Sequence, residues 1–193
     1  MNAQTRKLQL EGAAGAIEAV RDEPAPDQPA RGVVVIAHPH PLFGGTMDNK
    51  VVQTLARAFV QCGWSAVRFN FRGVGASAGV YDEGRGELED LLMLIEQVAP
   101  TGPLALGGFS FGSFVASRAL QALWGRRTIE KIVFVGTAVA RFDVAELPLQ
   151  AHERTLVIHG EQDDTVALTA VFDWARPQSL PVTVIPGGSH FFH

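Results

Sequence analysis

The chain has 193 residues, 47% of them hydrophobic, and a formal net charge of −4. Its size and apolar content fit a single domain over residues 1–193 with a substantial core, and exclude a disordered chain. The small negative charge and the lack of any Lys/Arg run exclude the electrostatic footprint of a nucleic-acid or anionic-membrane binder. One cysteine, Cys62, excludes an internal disulfide and a multi-cysteine metal site and is compatible with a reducing compartment. The N-terminal stretch lacks the continuous apolar run of a secretory leader, and no segment is long enough to span a bilayer, so a cytoplasmic location is expected.

In chain order, Leu8–Glu11 and Ala16–Val20 flank Gly12-Ala13-Ala14-Gly15, which predicts an antiparallel hairpin, followed by a Pro-rich loop at Asp22–Pro29. Short β-branched runs then recur at Val33–Ala37, Ser65–Phe69, Leu104–Leu106, Ile132–Val135, Leu156–Ile158 and Val182–Ile185. Several are apolar without a break, as for strands buried on both faces of a parallel sheet. Helical stripes separate most of them: Val52/Leu55/Phe59, Leu88/Leu91/Leu92/Ile95, Val115/Ala119/Leu123 and Val171/Trp174. This alternation predicts a doubly wound, mostly parallel α/β sheet with its site at the carboxyl ends of the strands. Between Val135 and Thr155 there is room for about one small helix, so no lid is expected and the site should be open.

Gly108-Phe109-Ser110-Phe111-Gly112 places G-x-S-x-G between a predicted strand and a helix. There a serine on a tight turn projects its hydroxyl, and the glycines let strand and helix approach. Taken alone, the motif also fits an inert glycine-rich turn. A serine nucleophile needs a base, and the base an orienting acid. Two strands downstream end in suitable groups: Ile158-His159-Gly160-Glu161-Gln162-Asp163-Asp164, and Ile185-Pro186-Gly187-Gly188-Ser189-His190. Either Asp163 or Asp164 could be the acid or merely cap the next helix. His190 is the base candidate, with a surface histidine as the bland alternative.

The loop His38-Pro39-His40-Pro41-Leu42-Phe43-Gly44-Gly45 follows the first buried strand, where such a fold draws one oxyanion N–H. The other would come from Phe111, directly after the serine. Pro39 and Pro41 lack an N–H, which leaves His40 or Leu42, with His40 preferred by position. His38 and His40 could suggest a metal pair, but no third ligand stands at a supporting spacing. His159 reads as structural in its turn, and His152 and His193 have no special context.

With the loop Asn70-Phe71-Arg72-Gly73-Val74-Gly75-Ala76-Ser77, read as structural, and the ending Gly188-Ser189-His190-Phe191-Phe192, these segments resemble the α/β-hydrolase superfamily. As a set they are similar to small cap-less bacterial predicted esterases, near the dienelactone hydrolases and serine aminopeptidase-like hydrolases. The resemblance runs from about Val33 to the end, although Ala167 stands where many relatives have proline. It implies a triad of Ser110, Asp163 and His190, with H-G-x-x-D-x-x-V selecting Asp163 over Asp164. It also implies a closing helix after the histidine. The sequence stops three residues past His190, so the fold is expected without that helix.

The implied chemistry is hydrolysis of an ester, thioester or lactone of a small molecule through an acyl-enzyme, with Phe111 and His40 N–H groups at the oxyanion and no metal or other cofactor. Phe43, Phe109, Phe111 and Phe191 could line an apolar pocket or belong to the core. A peptidase or amidase, and a non-catalytic binding module, are the alternatives.

Overall fold

The computed structural model describes residues 5–27 and 29–193; residues 1–4 of the stretch read for a leader, and Gln28 of the expected 22–29 loop, lie outside them. Eight strands form one mixed sheet: β1 Thr5–Gly12, β2 Gly15–Asp22, β3 Val33–Ala37, β4 Ser65–Phe69, β5 Leu104–Phe109, β6 Ile129–Val135, β7 Thr155–Gly160 and β8 Val182–Ile185. Their spatial order is β1-β2-β4-β3-β5-β6-β7-β8. The strands β3 to β8 run parallel, while the β1–β2 hairpin adds itself antiparallel to β4. Among the described residues the α-helices are α1 Lys50–Gln61, α2 Arg85–Val98, α3 Phe111–Leu123 and α4 Leu168–Ala175.

Each central strand buries both faces, which is why its sequence is apolar without alternation. Val34 and Ile36 of β3 join Val52, Ala56 and Phe59 of α1 in one core. Val35 and Ala37, one pleat away, join α2, α3 and α4 in a larger core around Leu94, Leu106, Leu120 and Phe134. Side chains this size stabilise the fold by roughly 1.5–3 kcal/mol each when fully buried. On the face that carries α1, Leu156 and Ile185 at the β7–β8 edge are exposed.

The strand order reverses between β3 and β5, whose carboxyl ends therefore open a crevice. The segment 136–148 after β6 is irregular and ends in a 3-10 turn at Leu149–Arg154, not in an inserted cap. After β8 the chain runs in turns to His193. Among the described residues, no helix is long and apolar enough to cross a membrane.

Candidate active site

Ser110 sits between the end of β5 and the first residue of α3, with φ 55° and ψ −116°. A non-glycine residue in this region stores roughly 1–3 kcal/mol of strain, so the surroundings must hold it. They do so with three bonds. The Ser110 N–H donates to the Val135 carbonyl (2.9 Å), and the Ser113 N–H donates to the Ser110 carbonyl (3.0 Å). Below the turn, the buried Ser113 hydroxyl donates to the Gly108 carbonyl at 2.8 Å. The flanking glycines are required by space: a Cβ on Gly112 would lie 2.2 Å from the Ala37 carbonyl oxygen, and one on Gly108 2.5 Å from Gly112 backbone.

Asp163 and His190 arrive from the ends of β7 and β8. His190 Nδ1–H donates to Asp163 Oδ2 at 2.7 Å, and the Ser110 hydroxyl donates to His190 Nε2 at 3.1 Å. An ionised carboxylate only accepts, which assigns the proton to Nδ1 and leaves Nε2 free to take one from the serine. Asp163 is not the cap of α4, whose N-cap is Ala167. Its Oδ1 instead accepts the N–H groups of Thr165 (2.9 Å) and Val166 (2.7 Å), closing a turn. Burial alone would raise the Asp163 carboxyl, but the bonds from His190, Val166 and Thr165 outweigh it and hold its pKa below the ordinary value. Asp164 is exposed, and its side chain accepts the Thr165 hydroxyl at 3.3 Å.

The acid and base loops are stitched to each other. Gln162 N–H donates to the Gly188 carbonyl (2.9 Å) and Glu161 N–H to that of Ile185 (3.0 Å), while Gly187 N–H donates to the Glu161 carboxylate (2.7 Å). The His190 ring packs on Phe109 and Phe191, with centroids 5.0 and 5.2 Å away, and is almost wholly buried. His159 lies beneath: its Nε2–H donates to the Val166 carbonyl at 2.8 Å and stands 3.4 Å from Asp163 Oδ2. Its role is in the turn, as expected.

Phe111 is residue N1 of α3, so its N–H has no intrahelical partner and points from a helix N-terminus. Leu42 N–H donates to the His40 ring Nδ1 at 3.2 Å and is thereby occupied. The His40 N–H is given to no acceptor among the described residues. His38 is fully buried, its Nδ1–H donating to the Pro39 carbonyl (2.6 Å) and its Nε2 accepting the Phe71 N–H (3.0 Å). Both ring nitrogens are used, which removes it as half of a metal pair. The Arg72–Ser77 loop is held structurally: Arg72 pairs with Asp90 at 2.8 Å, and the Ser77 hydroxyl donates to the Asn70 carbonyl at 2.7 Å.

A cavity of about 360 Å³ opens at Ser110, a volume typical of small-molecule sites. Its wall includes His40, Phe43, Phe111, Ala138, Arg141, Phe142, Val166, His190 and Phe191. The four aromatics with two possible roles divide. Phe43 and Phe191 are 74% and 46% exposed at the rim, Phe111 is buried but backs the wall, and Phe109 belongs to the core. Arg141 and Phe142 were not anticipated, because the segment after β6 has no periodicity. Its position at a strand's carboxyl end was the available signal.

Comparison with known proteins shows the family and the fold. Residues 28–156 match the protein family described as serine aminopeptidase, S33. A lidless α/β serine hydrolase from Xanthomonas campestris superposes with a TM-score of 0.87 at 37% identity, covering 100% of this chain and 88% of that one. An α/β serine hydrolase homologue from Coxiella burnetii gives a TM-score of 0.82 at 34% identity, covering 100% and 92%. An uncharacterised protein of Rickettsia prowazekii is 29% identical over 85% of this chain and 73% of its own length.

Proposed function

The chain belongs to the serine aminopeptidase family of α/β serine hydrolases, and on that premise we propose that it is a lidless serine esterase acting on a carboxylic ester, thioester or lactone of a small molecule. One observation carries the reading: an unbroken hydrogen-bonded line from Ser110 through His190 to Asp163, with links of 3.1 and 2.7 Å. His190 Nε2 takes the Ser110 proton as the hydroxyl oxygen attacks the carbonyl carbon. Asp163 keeps the other ring nitrogen protonated and stabilises the imidazolium that forms. Phe111 and His40 N–H groups donate to the developing oxyanion, each worth roughly 3–4 kcal/mol in sites of this type. His190 then protonates the departing alkoxide, and water releases the acyl group by the same route in reverse. The reaction calls for no metal or organic cofactor. The proposal includes a cytoplasmic location, with which the free, exposed Cys62 is compatible.

The test is labelling with a fluorophosphonate followed by mass mapping, alongside turnover of a p-nitrophenyl ester. An adduct on Ser110, and loss of turnover in a folded Ser110→Ala variant, are expected. Well-folded wild-type protein that forms no such adduct refutes the reading.

Aminopeptidase activity is the second reading, favoured by the description of the matching family. Against it, no Asp or Glu side chain is among the residues lining the cavity, so a substrate ammonium would find no counter-charge there.

A further inference from the structure

The wall of the cavity carries a cation that forms no ion pair among the described residues. Arg141 lines the same space as Ser110 and His190, and its guanidinium makes no salt bridge or hydrogen bond among the described residues. Three acids close to it in sequence or around the pocket have other partners. Asp143 pairs with Arg118, Asp163 holds His190, and Asp164 turns to the Thr165 hydroxyl.

Its backbone is fixed. The N–H groups of Arg141 and Phe142 both donate to the Ala138 carbonyl, at 3.2 and 3.1 Å, forming a turn at the carboxyl end of β6. Phe142 anchors that turn by stacking on Phe114, with centroids 5.0 Å apart and planes 16° off parallel. The arginine is therefore an exposed, unpaired donor fork presented from a rigid base beside an aromatic wall. Its charge reaches the oxyanion loop: burial lowers the His40 pKa, and Arg141 lowers it further.

We propose that Arg141 recognises an anionic group on the substrate, so that the ester this cavity selects is one carrying a carboxylate. The inference rests on the esterase reading and deepens it. A guanidinium binds a carboxylate through two parallel N–H bonds, whereas it repels an α-ammonium. The same residue thus favours an acidic ester and disfavours an aminoacyl substrate, and the aromatic wall formed by Phe111 and Phe142 accommodates an apolar spacer between the two functional groups.

The experiment compares kcat/KM for 4-acetoxybenzoate with that for 4-acetoxybenzamide, which is similar in shape and uncharged. Wild type, Arg141→Gln and Arg141→Lys are measured at low and at high salt. The ratio of the two substrates cancels general damage to the site. It should fall about tenfold in Arg141→Gln, and the Lys variant should keep part of it, since Lys retains the charge but not the planar fork. High salt should move the wild-type ratio toward that of Arg141→Gln. An unchanged ratio in Arg141→Gln, with the neutral ester still hydrolysed, overturns the assignment and leaves the esterase reading intact. If neither ester is hydrolysed and Ser110 resists fluorophosphonate, the esterase reading falls and takes this inference with it.

Discussion

Acid should loosen the loop that presents the His40 N–H, acting through His38. The His38 imidazole is fully buried at the end of β3, with one nitrogen donating to the Pro39 carbonyl and the other accepting the Phe71 N–H. A second proton would turn Nε2 into a donor facing another donor. Burial, partly offset by the Pro39 carbonyl, lowers the pKa from 6.5 to about 4. As the pH falls below 6.5 the unfolded chain takes up the proton while the folded one does not. Stability is therefore complete above 6.5, declines as the pH falls toward 4, and is flat in this residue below that. At about 1.4 kcal/mol per pH unit, the loss over the window reaches about 3 kcal/mol, a large share of a typical domain's stability. Urea unfolding of wild type and His38→Gln at several pH values isolates the contribution. Near pH 7 the variant should be less stable by roughly 1–3 kcal/mol, because it leaves buried partners unmet. The gap should close near pH 4.5. Unfolding midpoints that decline in parallel between pH 7 and 4.5 would refute the reasoning.

Two further substitutions probe the site. Asp163→Asn should lower kcat on the order of 10⁴-fold by favouring the wrong His190 tautomer, while Asp164→Asn should stay within about twofold; steady-state kinetics separate the two. Gly136→Ala would put a Cβ 3.1 Å from His190 Cε1 and 3.0 Å from Phe109, at a backbone φ of 52°. Displacement of the base should cost roughly 10- to 100-fold in kcat with circular dichroism unchanged, and wild-type kcat in this variant would contradict the account of how His190 is held.

The parallel core was legible because β3 and its neighbours are buried on both faces, which forces an unbroken apolar run. Several strands extend beyond the runs that predicted them, β5 and β6 for identifiable physical reasons. Gly107 and Gly108 carry little strand signal, yet they extend β5, because only a small residue fits beneath α3 at Gly108. The start of β6 includes Glu130 and the exposed Lys131, which masked it. At the site, chain order nominated Ser110, His190 and one of Asp163 and Asp164, the family resemblance selected Asp163, and the structure brings these three within hydrogen-bonding distance. His40 was preferred to Leu42 by position alone, and what the sequence did not show is the imidazole that captures the Leu42 N–H. Arg141 and Phe142 were invisible for a different reason: an irregular segment has no period, and its contribution depends on where the β6 end places it. The aromatic residues could not be sorted between wall and core, because hydrophobicity is equal for both and only exposure tells Phe43 from Phe109.

The turn closed by Asp163 has a mechanical side. One oxygen of that carboxylate is tied to the backbone of Thr165 and Val166, and the other to His190. Thr165 and Val166 also border the cavity. Whatever seats itself there leans on the short arm of a lever whose long arm is the imidazole. Filling the cavity and aligning the base are consequently not independent variables. A residue exchanged at Val166 to reshape the cavity will shift the pH–rate profile along with the substrate preference.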